Sequence, residues 1–306
     1  MRLPDTIRES LDAALEARGS GRIRSVEPVG GGCITETGRL RTTDDLVYFM
    51  KWTVGGHPSG LFSAEADSLA AIAATRTVRV PDVIHVRDGA QTEPADGHDG
   101  RWLLLEWLEP GSVAAHTWTT LAEQLVALHR HRNDAAGWPT DNFIGTLPQR
   151  NAAGGNWPGF WRERRIAPQI RLARDQGKFD RDDAARVDAL LAALDDLLAP
   201  AAHDGASLLH GDLWSGNLHI LTSGDPALVD PSSAYGHREV DLAMSELFGG
   251  FDHLFYATYA EIWPLHPEYE RVRRPIYQLY YLLVHVNLFG GPYRARALSA
   301  LSGLGF

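Results

Sequence analysis

A single cysteine, Cys33, in 306 residues leaves no internal disulfide partner and too few thiols for a cysteine-based zinc site. No apolar run approaches the roughly 18 residues needed to span a bilayer. The opening residues, Met1-Arg2-Leu3-Pro4-Asp5, lack the basic-then-apolar profile of a secretion signal. A cytoplasmic protein without a membrane anchor is the expectation. Basic charge is also in short supply: 29 Lys and Arg face 39 Asp and Glu, a formal net charge of −10. That balance argues against nucleic-acid binding through a basic surface. The composition, 44% hydrophobic and 22% charged, is that of an ordinary globular protein without low-complexity tracts. The length suffices for one large domain or two modest ones.

What is present falls into two parts. Apolar residues at 7, 11, 14 and 15 space a helix over residues 5–18, stopped by Gly19. Two β-rich stretches between Ile23 and Thr53 flank Gly30-Gly31-Gly32, a turn signal. Residues 61–74 carry a helical pattern with Leu61, Leu69 and Ile72 inward. Strands are expected at 83–87 and 102–108, and Glu109-Pro110-Gly111 reads as a linker. Beyond it, helices are expected at 117–131, 160–175, 181–198, 239–248, 252–262, 268–288 and 292–300. A Gly/Pro/Asn-rich stretch at 133–158 reads as a long functional loop. The expected class is α+β: a small β-rich N-terminal lobe (residues 1–108) and a larger, mostly helical C-terminal lobe (109–306).

The segment Leu209-His210-Gly211-Asp212-Leu213-Trp214-Ser215-Gly216-Asn217 carries the most chemistry. An Asp and an Asn five apart after His-Gly form the catalytic-loop pattern of phosphoryl-transfer enzymes. There the Asp accepts the proton of the attacking hydroxyl and the Asn holds a magnesium ion. A second metal ligand should close the next short strand, and Ala227-Leu228-Val229-Asp230 supplies an acid 13 residues after Asn217. Asp212 is thus the expected base, and Asn217 and Asp230 the expected Mg2+ ligands, hard oxygen donors of the kind that ion prefers. Lys51 ends a hydrophobic strand pattern, Leu46-Val47-Tyr48-Phe49-Met50-Lys51, and is the expected ATP-phosphate lysine. Glu65, on the helix that follows, is its expected counter-ion. Gly31, Gly32 and Cys33 belong to a phosphate-covering loop, although Thr35 stands where the G-x-G-x-x-G template has its third glycine. His210 reads as a loop-fixing residue, and Glu239 and Asp241, opening a helix, as structural acids. The 13 histidines show no metal-ligand spacing. Together these residues describe a bilobal, protein-kinase-like fold. His-Gly-Asp lacks the arginine that reads a phosphorylated loop, Asp230 is followed by Pro231-Ser232, and eight residues separate Asp230 from Glu239. A small-molecule kinase without a phosphorylation switch follows.

The loop from Leu209 to Asn217, with Trp214 and Ser215 inside it, resembles that of the fructosamine/ketosamine 3-kinase family. Similar segments are Gly31 to Gly38, Asp141-Asn-Phe-Ile-Gly-Thr-Leu-Pro148, Tyr235-Gly-His-Arg-Glu239-Val-Asp241, Leu247-Phe-Gly-Gly-Phe251 and Tyr280 to Gly291. The resemblance implies ATP-dependent phosphorylation of the 3-hydroxyl of a ketosamine, free or protein-bound, whose unstable product releases the amine. It further implies adenine binding by backbone groups of Glu106, Trp107 and Leu108, and a sugar wall formed by Trp214. For Cys33 it implies a redox-sensitive dimer as the alternative to a monomer. Aminoglycoside and choline-type phosphotransferases share the His-Gly-Asp, Asn and Asp core, so a kinase of another small hydroxyl compound is the rival reading.

Overall fold

The structure, a computed structural model, describes residues 2–30, 34–88 and 100–306. Gly31, Gly32 and Cys33, and with them the phosphate loop and the cysteine-linked dimer, lie outside the described residues. The chain divides into two compact units. One takes Met1–Ala114 and His219–Asp230, the other Ala115–Leu218 and Pro231–Phe306.

In the first unit, α1 (Asp5–Ala17) places Ile7, Leu11 and Leu15 on one buried stripe. They meet Leu40, Met50, Trp52, Trp102 and Leu104 from a five-stranded sheet. Its strands are β1 (Ile23–Pro28), β2 (Glu36–Thr42), β3 (Val47–Val54), β4 (Val83–Arg87) and β5 (Gly100–Glu106), in the order β1-β2-β3-β5-β4. All neighbours run antiparallel. Lys51 therefore sits on the central strand, opposite Thr37 on β2 and Leu103 on β5. Helix α2 (Leu61–Thr75) packs against β4 and β5. It buries Phe62, Ala66, Leu69 and Ile72, spaced at helical period. Phe62 thus takes the inward place expected for Leu61, which is half-buried at the first turn. The strands Leu218–Ile220 and Pro226–Leu228 pair as a hairpin ahead of Asp230. It is tied down by bridges from Leu221 to Pro110 and from Ala227 to Arg79.

The second unit is built around the helix Arg274–Phe289, which is apolar nearly all round and buried on every side. The helices Glu239–Leu247, Tyr293–Leu304 and Ala167–Asp175 pack on it. The helix Arg181–Leu198 starts with a reciprocal capping box between Asp180 and Asp183. Ala206–Leu209 is the middle strand of a three-stranded sheet, flanked by Ala234–Gly236 and Arg132–Asn133. All four of its residues are buried, which fixes the strand that delivers the following loop. Residues 133–158, read from composition as a long loop, instead contain a hairpin of Asn142–Ile144 with Leu147–Gln149. The side chains of Asn142, Gln149 and Asn151 are buried there. Asn142 Nδ2 donates to Ser233 O (2.9 Å), while Gln149 Nε2 and Asn151 Nδ2 both donate to Asn142 Oδ1 (2.9 and 2.7 Å). Composition cannot separate an amide that bonds water from one that bonds its own core, and here the core is the partner. Among the described residues no helix is long and apolar enough to cross a membrane.

Candidate active site

Within the first unit the sequence-picked cation is buried between two acids. Lys51 Nζ lies 2.8 and 2.9 Å from the two oxygens of Glu65 and 2.6 Å from Asp230 Oδ1. Lys51 is one of only two lysines in the chain, the other being Lys178. A compact ammonium is thus retained where arginine is otherwise the rule. Burial works against the Lys51 charge, but the carboxylates of Asp230 and Glu65 outweigh it and raise its pKa. Burial pushes the Glu65 carboxyl up to about 7, against the pull of Lys51 and with added repulsion from Asp230. One ammonium shared by two acids favours the charged lysine, while the more enclosed acid carries the desolvation cost. The Asp230 side chain keeps 42% of its exposure. Its backbone is left-handed, at φ 55°. That conformation is uncommon outside glycine, and such strain concentrates at sites of function.

At the end of β5, the Glu106 N–H donates to Asp82 O (2.9 Å) and its carboxylate pairs with Arg79. The Trp107 indole N–H bonds Glu109 (2.7 Å), with the Arg39 guanidinium 4.8 Å from its ring centroid. Leu108 is buried. The side chains of all three residues are engaged within the first unit.

Within the second unit the loop after Ala206–Leu209 is held from below. Asp241, at the first turn of Glu239–Leu247, is fully buried and accepts from His210 N (2.7 Å) and Gly211 N (2.9 Å). His129 Nε2 is 3.1 Å from the same carboxylate, and its Nδ1 is 2.8 Å from the Tyr259 hydroxyl. Burial depresses the His129 pKa, with Asp241 opposing. The neutral ring therefore carries its proton on Nε2 toward Asp241 and accepts from Tyr259. Tyr281 Oη donates to Gly211 O (2.7 Å), and Ser232 N to His210 O (2.9 Å). Gly211 has φ +85°, and a Cβ there would lie 1.9 Å from Ser232 O. The glycine of His-Gly-Asp is thus a steric requirement as well as a missing arginine. His210 is fully buried, and its Nδ1 accepts from Asp212 N (3.3 Å).

Above this base, Asn217 Nδ2 donates to Asp212 O (2.8 Å) and Oδ2 (3.1 Å). The amide nitrogen bonds Asp212, and the other terminal atom of Asn217, Oδ1, is a hard oxygen like those of Asp230. Hard oxygens of this type suit magnesium. The Trp214 ring covers Gly216, where a Cβ would come within 2.2 Å of it, and meets Phe248 edge-on at 6.1 Å. Glu239 pairs with the buried Arg273 through both oxygens (2.6 and 2.9 Å), a structural contact. Sequence reasoning missed His129, Tyr259 and Tyr281. Their partners lie 70 to 130 residues away, so no spacing rule could have found them.

A family model described as fructosamine kinase matches residues 7–304. A probable ketoamine kinase of Synechocystis sp. is 41% identical, covering 92% of this chain and 90% of that protein. A ketosamine-3-kinase of Mus musculus is 33% identical over 94% and 96%. The crystal structure of a putative fructosamine-3-kinase from Thermobifida fusca superposes with a TM-score of 0.83 at 31% identity, covering 96% and 98% of the two chains.

Proposed function

Because this chain belongs to the fructosamine kinase family, we propose that it transfers the γ-phosphoryl group of ATP to the 3-hydroxyl of a ketosamine, a sugar condensed onto an amine. The observation that carries the proposal is Lys51, a buried ammonium gripped by Glu65 and Asp230. A buried lysine oriented by a helix glutamate is the device by which kinases aim a point charge at nucleotide phosphates. The names of the relatives support the substrate class and the 3-position.

In this reading Lys51 neutralises phosphate oxygens, and backbone groups of Glu106 to Leu108 bind the adenine edge. Asp212 accepts the proton of the attacking hydroxyl as the new oxygen–phosphorus bond forms and the bond to the ADP oxygen breaks. Asn217 holds the Asp212 carboxylate through its Nδ2 hydrogen bond. Trp214 offers an apolar face to the sugar. Asn217 and Asp230 are the residues we assign to magnesium, which when bound neutralises charge on the transferring phosphates. The resulting 3-phosphate breaks down and frees the amine, so the net effect is deglycation.

The test is a panel of acceptors with ATP and Mg2+: fructosyl-lysine, ribulosyl-lysine, erythrulosyl-lysine, kanamycin and choline. Phosphorus NMR should locate phosphate on O3 of a ketosamine. Asp212→Asn should lower kcat about 10²–10⁴-fold with an unchanged melting temperature. Phosphate on kanamycin or choline and on no ketosamine would overturn the proposal.

A further inference from the structure

The second unit contains a small cavity of about 20 Å3, walled in part by Phe160, Trp161, Arg165, Gly211, Tyr280 and Tyr281. That space has room for a water-sized or monatomic guest. Arg165 is 4% exposed. Its Nη1 donates to Arg150 O (2.7 Å) and Arg164 O (3.1 Å), and its Nη2 to Asn151 Oδ1 (2.7 Å). The guanidinium also lies 4.8 Å from the Phe160 ring centroid. Every one of these partners is neutral, and Arg165 makes no ion pair with a described residue. Asp141, whose charge reaches it from farther off, is taken up by Arg150 and by the Asn151 N–H. Trp161 is 2% exposed, and its Nε1 has no acceptor among the described residues.

Two buried donor-only groups, one of them cationic, therefore line one small cavity. A buried charge without a counter-charge is costly, and an orphaned indole N–H adds to that cost. Water would satisfy the indole and leave the charge uncompensated. We propose that the cavity binds a single halide ion, chloride under ordinary conditions, held by the Arg165 guanidinium and the Trp161 indole N–H. Gly211 borders the same space, and Tyr281, another wall, holds its carbonyl. Occupancy thus stiffens the loop that carries Asp212.

The experiment is thermal unfolding of the full chain, without nucleotide or acceptor, as NaCl replaces sodium gluconate at constant ionic strength. The melting temperature should rise saturably, by about 3–5 °C per tenfold gain in the folding equilibrium, and NaBr should do the same. Trp161→Phe keeps the ring packing and removes only the N–H. It should fold like the parent and shift the chloride midpoint upward about tenfold or more. Crystals grown in bromide should give an anomalous peak in the cavity. Equal melting in chloride and gluconate, an unchanged chloride response in Trp161→Phe, or a cavity without bromide would each overturn the proposal.

Discussion

Asp241→Asn isolates the support beneath the catalytic loop without changing its shape. The carboxylate receives two backbone N–H groups, from His210 and Gly211, and the His129 ring nitrogen, all in a fully buried setting. An amide of the same volume can keep one oxygen in place, but its NH2 must then face at least one of these donors. An unsatisfied buried donor costs about 1–3 kcal/mol, and the remaining hydrogen bonds lose the benefit of an ionised acceptor. A loss of roughly 2–4 kcal/mol follows, or about 4–16 °C in melting temperature using the slope for larger domains. Gly211 directly precedes Asp212, so a displacement of about 1 Å should also cost on the order of 10² in kcat. Both quantities are accessible: differential scanning fluorimetry for stability, and kcat measured at least 20 °C (about 5–10 kcal/mol by the same slope) below the mutant's melting point. If melting moves by under about 1 °C and kcat by under about twofold, then Asp241 does not position the loop and the argument fails.

Lys51→Met should cost about 3–5 kcal/mol at pH 8, the scale for stripping a buried acid of its partner, with the share from half-exposed Asp230 discounted for screening. Because Glu65 rises from 4.5 to about 7 on folding, its favourable contribution is complete below pH 4.5 and is lost as pH rises through about 7. The penalty in Lys51→Met should therefore shrink at pH 6, where Glu65 can take up a proton. Urea unfolding at the two pH values reads this, and an equal loss at both would contradict it. Burial also depresses His129 and His237 below 6.5. The unfolded imidazoles gain protons that the folded ones refuse, so stability should fall as pH drops below about 6.5. His237→Asn should flatten that fall, and an unaltered urea profile between pH 7.5 and 5.5 would count against the assignment. Gly211→Ala, with its Cβ 1.9 Å from Ser232 O, should lower stability by roughly 3 kcal/mol or more. Gly154→Ala, with nothing within 4 Å, should leave melting nearly unchanged, and equal melting of the two variants would refute the steric argument.

The placement of Lys51 and Glu65 was legible because both lie on regular elements close in sequence. A strand followed by a helix fixes a lysine and a glutamate 14 residues apart on facing surfaces. The helix Arg181–Leu198 was equally legible, since its apolar period and its Asp180 cap are local properties. The hairpin inside residues 133–158 was not. Its Asn and Gln side chains look like loop composition until the core supplies their hydrogen-bond partners.

The order of residue types along the chain thus nominated the groups for phosphoryl transfer: Asp212, Asn217 and Asp230 stand at short intervals, and Lys51 stands close in sequence to Glu65. Only the folded chain decided what holds them. Asp241 reaches back 31 residues to the loop backbone, and His129 reaches 112 residues forward to Asp241. Arg165 is enclosed with only neutral hydrogen-bond partners among the described residues. Spacing encodes neighbours along a strand or helix, whereas burial and long-range pairing arise from how those elements pack. Buried polar groups acquire their partners at that stage, because water is no longer there to serve them.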